Sequence, residues 1–524
     1  MKTRLKSGLI LLATTLITAL PAMADVRLAK IFTDDMMLQR DQPVRIWGWA
    51  KPGEQVSATL AGKTAVTKAN DKGQWVAKLP AIPTGENLEF TVKGDNTLTL
   101  KNIIVGDIWV CSGQSNMEMA LGGCLGDADD IKNADLPKIR RIKFNHVSTS
   151  QEEADSPTAT AWQVCSPQTA GGFTAAGFYF AREIQQKTGV PIGLIDSNWG
   201  GTNIEPWIAP AGLSLVPELK DADASMQLML KNYREQLPQA LTTLEAWIAQ
   251  TRKDLANGMP TSPPPAAHIV PTSGWSGMYN AMIAPIVHFP IKGALWYQGE
   301  SNGAEGESYY HKMRALIGGW RKQWGLGDFP FYYVQLANFQ GVSNDPAGNN
   351  GWVKLREAQS KTLSVPNSGM AVITDTVPLN QQNDIHPKNK YDVGLRLALW
   401  ALNRDYGQKQ LEVSGPLFKE LKVEGGKARL TFNHTGAGLM VGTKEGRNLA
   451  VENPSGKLKQ FAIAGADKKW FWADAVIENN TVLVSSPDVK EPVAVRYAFQ
   501  QNPDGANLYN RDGLPASPFR TDAW

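Results

Sequence analysis

The sequence predicts an α/β core flanked by two all-β regions, and three observations carry that prediction. Short apolar runs at 103–111, 192–197, 293–298, 329–336 and 370–375 are separated by helix-forming stretches. Five strands interleaved with helices are the pattern of a three-layer α/β/α sandwich on a five-stranded parallel sheet. Before residue 100 and after residue 410 the texture changes to β-branched runs broken every eight to twelve residues by Gly, Asn and Asp, which predicts antiparallel β domains. The expected divisions are 25–104, 105–407 and 408–524.

Taken in order, Lys2, Arg4 and Lys6 precede an apolar stretch, Leu9 to Leu20, and then Pro21-Ala22-Met23-Ala24. A basic start, a short apolar run and an A-x-A site predict a signal peptide over 1–24 and an exported, periplasmic protein. V-R-I-W-G-W, Q-V-S-A-T-L and Q-W-V-A-K-L then alternate as the strands of a small β-sandwich. Ala176 to Thr188 has helical periodicity and stops at Gly189, an end signal for a helix. Residues 215–269 interrupt the α/β pattern with a polar, helix-prone segment and the stiff T-S-P-P-P-A-A at 261–267. This reads as a helical insertion with a Pro-rich linker, a lid or a subunit contact. Further helices are expected over 279–287, 309–324, 354–363 and 388–403.

Composition narrows the function. The formal charge is +3, from 53 basic and 50 acidic residues, and three basic residues lie in the expected signal peptide. The remainder is formally neutral, so neither nucleic acid nor an anionic membrane surface is an expected partner. Seventeen tryptophans suit stacking on sugar rings, although core packing is their commoner use. Cys111, Cys124 and Cys165 are the only cysteines. They allow at most one internal disulfide and form no zinc-like spacing. No metal and no other cofactor is expected.

The chemistry is expected beyond the carboxyl ends of the strands, where open α/β sheets bind ligands. There the sequence gathers Ser115 in G-Q-S-N-M, Gly200 and Gly201 in S-N-W-G-G-T-N, Gln298, Glu300 and Asn302 in Q-G-E-S-N, and Asp384 with His386 in D-I-H-P-K-N-K. A serine, a base and preorganised N–H donors are the parts of an acyl-transfer site. Ser112, three residues before Ser115, reads as part of the turn.

Ser115 is outside a G-x-S-x-G elbow, because Met117 follows two residues later. The blocks instead resemble the SGNH-hydrolase superfamily. Within it G-D-I-W-V-C-S-G-Q-S-N-M, W-G-G-T-N-I-E-P-W, W-Y-Q-G-E-S-N and D-I-H-P-K-N-K are similar to the sialate O-acetylesterase family of carbohydrate esterases. The resemblance covers about 105–405 and extends to the flanking β regions and the ending F-R-T-D-A-W. It implies an SGNH-type fold and a serine esterase acting on an O-acetylated sugar, sialic acid above all, with acetylxylan as the alternative. A non-catalytic sugar-binding protein is the rival from another class. The resemblance also implies Ser115 as nucleophile and His386 as base. Ser115, Gly200 or Gly201, and Asn302 would form the oxyanion hole, and Gln114, Gln298 and Glu300 would contact the sugar. The superfamily acid usually stands three residues before the histidine, where this chain has Asn383. Either Asp384 completes a triad or a dyad suffices; Glu300 is a weaker candidate. Arg356 is expected on a helix surface, and His146, His268, His288, His311 and His434 have no catalytic setting.

Overall fold

A computed structural model describes residues 25–265, 274–348 and 350–524. The expected signal peptide and the end of the Pro-rich linker lie outside the described residues. The strands of the central sheet are numbered β1 to β6 here. β1 is Thr97–Gly113, β2 Leu136–Lys143, β3 Ile192–Asn198, β4 Gly293–Tyr297, β5 Phe331–Val334 and β6 Ser368–Ala371. Their spatial order is β2-β3-β1-β4-β5-β6, every neighbouring pair is parallel, and Gln163–Cys165 adds an antiparallel edge beside β2.

The five parallel strands expected from sequence are thus six. β2 reads P-K-I-R-R-I-K, and its cations hide it. Arg140 is buried and donates to the Asp35 carbonyl at 2.8 Å, while Lys143 donates to Asn198 at 2.7 Å. Tertiary partners satisfy charges that would otherwise forbid a buried strand.

Side chains alternate across a strand, and β1 feeds both faces of the sheet. Ile108 and Val110 join one core, and Trp109 and Cys111 join the other. The second core is closed by helices α2, Ala175–Thr188, and α6, Lys390–Arg404. Gly394 lets these two meet, since a Cβ there would stand 2.5 Å from the Tyr179 Cβ. Helices α4, Ser308–Trp324, and α5, Gly351–Lys361, cover the opposite face. The expected helix at 279–287 is a π-turn followed by a 3₁₀ turn, because Pro285 cannot supply the N–H that a continuing helix needs.

In the insertion, Lys220–Ala256 forms one helix, α3, in which Met226 is the buried residue. The flanking regions are all-β but not detached. The sheet of Gln55–Leu60, Lys63–Lys68 and Gly85–Lys93 continues through the first half of β1, so the boundary expected at 104 falls inside a strand. After α6, three small antiparallel sheets of four, three and four strands form the C-terminal region. All three cysteines are buried and free.

Candidate active site

β1 lies in the middle of the sheet, and the chain leaves it toward β2 and β3 before crossing back to β4. Ligands favour such a switch point. At the end of β1, Gly113 adopts φ +133°, and a Cβ there would collide with the Tyr297 carbonyl oxygen at 2.2 Å. Gln114 then donates its backbone N–H to that same carbonyl at 3.0 Å. The turn so pinned opens the four-residue helix α1, Ser115–Glu118, with Ser115 half-buried at its start. Ser112 is fully buried in β1, and no hydrogen-bond partner reaches its hydroxyl among the described residues.

The loop between β6 and α6 brings His386 to Ser115. The His386 Nε2 stands 2.9 Å from the Ser115 Oγ. Its Nδ1 is 3.4 Å from Asp384 Oδ1, which also accepts the backbone N–H of His386 at 2.9 Å. Partial burial pulls the Asp384 carboxyl upward. The N–H of His386 and the nearby Lys388 outweigh it and hold the group below the usual carboxylate range. Burial lowers the His386 imidazole, Lys390 and Lys388 lower it further, and Asp384 opposes them; the net shift is downward. A neutral Nε2 facing a hydroxyl is the arrangement a nucleophile and its base require.

Gly200 and Gly201 separate. A Cβ on Gly200 would lie 3.2 Å from the Ser115 Cβ, whereas Gly201, at φ +74°, is exposed with open space around it. The Gly200 N–H donates to Glu118 Oε2 at 2.7 Å. Glu118 Oε1 meets His146 Nε2 at 2.6 Å, and His146 stacks on Trp199 at 4.7 Å between centroids, 5° from parallel. Glu118, and through it His146 and Trp199, therefore lie beside Ser115 and Gly200. Glu118 could have been found one helical turn beyond Ser115; nothing local marks His146.

The remaining expected residues are largely enclosed by protein. Asn302 is buried and donates its amide hydrogens to Glu205 at 3.1 Å and Glu305 at 2.6 Å. Its Oδ1 accepts from the Ile204 N–H at 3.0 Å and from Gln298 at 2.8 Å. Direct donation by Asn302 to an oxyanion does not fit this arrangement, because two carboxylates hold its hydrogens. Gln298 also donates to Gln114, whose Oε1 faces the Ser301 N–H at 3.2 Å. Glu300 is half-buried and accepts from Asn116 at 2.6 Å. Of the groups expected on the sugar, the Gln298 amide, Gln114 Oε1 and Glu300 Oε1 bond to protein, whereas Glu300 Oε2 meets no hydrogen-bond partner among the described residues. Arg356 is no surface residue either. It is fully buried and donates to four backbone carbonyls, those of Leu336, Ala337, Gln500 and Gln501.

A serine paired with an imidazole at the carboxyl edge of a parallel sheet is the layout of a carboxylic ester hydrolase. The family model for sialic acid-specific acetylesterases among the carbohydrate esterases matches residues 105–257 and 270–402. The chain belongs to that family, and its enzymatic class is ester hydrolysis on O-acetylated carbohydrate. The mouse sialate O-acetylesterase is 27% identical over 94% of this chain and 94% of its own length. The human sialate O-acetylesterase is also 27% identical, over 94% of this chain and 92% of its own. A carbohydrate acetylesterase from Xanthomonas citri has a solved structure that is 36% identical. It superposes with a TM-score of 0.78 over 95% of this chain and 100% of its own.

Proposed function

We propose that the protein is an exported serine esterase that removes O-acetyl groups from sialic acid through an acetyl-Ser115 intermediate. The observation that carries the mechanism is the 2.9 Å contact between Ser115 Oγ and His386 Nε2. His386 takes the hydroxyl proton as Oγ bonds to the acetyl carbonyl carbon. Collapse of the tetrahedral intermediate breaks the bond from that carbon to the sugar oxygen, and His386 returns the proton to the departing sugar. Water then attacks the acetyl-enzyme by the same route and releases acetate.

The oxyanion is held by the backbone N–H groups of Ser115 and Gly200. Glu118 Oε2 at 2.7 Å is an anionic oxygen already on the Gly200 N–H, which supports its competence as a donor. The substrate oxygen takes that place as Glu118 turns toward His146. Asn302 acts indirectly, by fixing Ile204 and with it the turn that carries Gly200. Asp384 steadies the imidazole loop through the backbone N–H of His386.

Sialic acid is supported by the family description and by the names of the mouse and human relatives. The second reading, another acetylated glycan such as acetylxylan, is compatible with the Xanthomonas citri enzyme, whose description names no particular sugar. Acetate release from O-acetylated sialic acid and from acetylated xylan, by wild type and Ser115→Ala, tests both. Release from sialic acid that disappears in the variant is expected. Release from xylan alone would keep the mechanism and overturn the sugar, and release unaffected by Ser115→Ala would overturn the mechanism.

A further inference from the structure

Below the serine lies a buried polar cluster that the reaction just described does not use. Lys390, the first residue of α6, is fully buried. Its Nζ donates to Asn116 Oδ1 at 2.5 Å and stands 5.0 Å from the centre of the Tyr297 ring. The Nδ2 of Asn116 donates in turn to Glu300 Oε1 at 2.6 Å and to the Ile385 carbonyl at 3.0 Å.

Asn116 immediately follows the nucleophile, and Ile385 immediately precedes the base. One carboxamide therefore spans the two segments whose separation fixes the Ser115–His386 contact, and Lys390 holds that carboxamide in place. A buried ammonium is costly unless paired and hydrogen-bonded. Apolar packing or a neutral donor could have made the same tie, so the charge itself invites a role.

Glu300 and Asp384 face Lys390 and favour its protonated form, Lys388 opposes it, and the Cys124 thiol, pushed up to about 11 by burial, is uncharged where Lys390 titrates. Burial outweighs them and pushes the ammonium down to about 7. The charged groups facing His386 are Lys390 and Lys388, which disfavour a second proton on the ring, and Asp384, which favours it. Glu300 is held above the usual carboxylate range by burial, and its Oε2 meets no hydrogen-bond partner among the described residues.

We propose that Lys390 is a positioning residue: through Asn116 it locks the nucleophile turn to the base loop, and its charge favours the proton-accepting form of His386. This rests on the reading of Ser115 and His386 as nucleophile and base.

The test is the kcat/KM–pH profile for a simple aryl acetate, with melting temperatures, for wild type, Ser115→Ala, Lys390→Gln and Asn116→Ala. Lys390→Gln keeps a donor for Asn116 and removes the charge. Its acidic limb is expected to move to higher pH, because an imidazole no longer repelled by a cation binds its proton more tightly. Asn116→Ala keeps the charge and cuts the tie. A loss of about 10²-fold in kcat is expected, the scale of a displaced reacting group, with KM and the acidic limb little changed. A folded Lys390→Gln with the wild-type limb, or an Asn116→Ala with wild-type kcat, overturns the inference. Should Lys390→Gln fail to fold, Asn116→Ala decides the positioning role alone. Aryl-acetate hydrolysis by wild type that persists in Ser115→Ala would instead sink the serine mechanism, a result separable from either.

Discussion

At the scale of single residues, the reacting pair and its neighbours make opposite demands on substitution. Ser115→Ala should lose more than about 10⁴-fold in kcat/KM with an unchanged melting temperature, since it removes the proposed nucleophile outright. The pH dependence follows from His386. In the proposed mechanism its proton-accepting form is the active one, so the rate should fall as pH drops through its pKa. Burial and Lys390 hold that pKa below the ordinary imidazole value, so activity should persist to lower pH than a free imidazole would allow. An acidic limb above the ordinary value would contradict this. The adjacent glycines give a sharper contrast. Gly200→Ala would bring a Cβ to 3.1 Å from Glu118 Oε2 and 3.2 Å from the Ser115 Cβ, and should abolish turnover while the protein stays folded. Gly201→Ala meets nothing within 4 Å at φ +74°, and should cost about 1–2 kcal/mol of stability with activity kept. Equal rates in the two variants would place the oxyanion donor elsewhere. Ser115, the Gly200–Gly201 pair and His386 could be picked out because each lies in a polar stretch beyond an apolar run of the α/β core, while the choice between the two glycines could not be read. Glu118, His146 and Lys390 were not, because their meaning lies in partners far along the chain or in burial that no local pattern announces.

At the scale of elements, what could be read from sequence tracks how local the cause is. The strands carrying the motifs are apolar on both faces, as parallel strands covered by helices must be, and they stood out. β2 did not, because its cations find partners only through folding: Arg140 donates to the Asp35 and Asn102 carbonyls, Lys143 to Asn198, and Arg141 and Lys143 both pair with Asp196. Helix ends were legible where glycine made them, as at Gly189 with φ +72°. The junction between β1 and α1 depends on another glycine with a less local reason. Gly113 combines φ +133° with a would-be Cβ contact of 2.2 Å to one backbone oxygen and 2.7 Å to its carbon, and backbone cannot step aside as a flexible side chain can. Gly113→Ala should therefore cost more than about 2 kcal/mol in denaturant unfolding. The folded fraction should also show a reduced kcat, since Ser115 follows two residues later. A variant of wild-type stability would mean that β1 and β4 can part without cost.

At the scale of the whole molecule, the β regions are braced against the core at points that bear on the site. The Asn389 side chain, which caps α6 by accepting the Asp392 N–H, also donates to the Gly446 carbonyl at 3.0 Å, and Lys444 pairs with Asp392 at 2.6 Å. The helix that carries Lys390 thus begins on the C-terminal region. Arg356 makes a second brace from α5, joining the carbonyls of Leu336 and Ala337, just beyond β5, to those of Gln500 and Gln501. Arg520 adds a pair to Glu357 at 3.0 Å on the same helix. Replacing Arg356 with methionine fills much of the volume but takes the Arg356 donor from the Leu336 and Gln500 carbonyls, whereas Ala337 keeps the Trp352 indole N–H and Gln501 the Phe339 N–H. At about 1–3 kcal/mol for each of the two acceptors left unpaired, the loss should be about 2–6 kcal/mol. Two results in denaturant unfolding separate the possibilities. One cooperative transition shifted to lower denaturant, with a reduced kcat in the folded state, is expected if the C-terminal region helps to set the start of α6. A first transition that unfolds the C-terminal strands while hydrolysis proceeds at the wild-type rate would show that these strands stand apart from the catalytic unit.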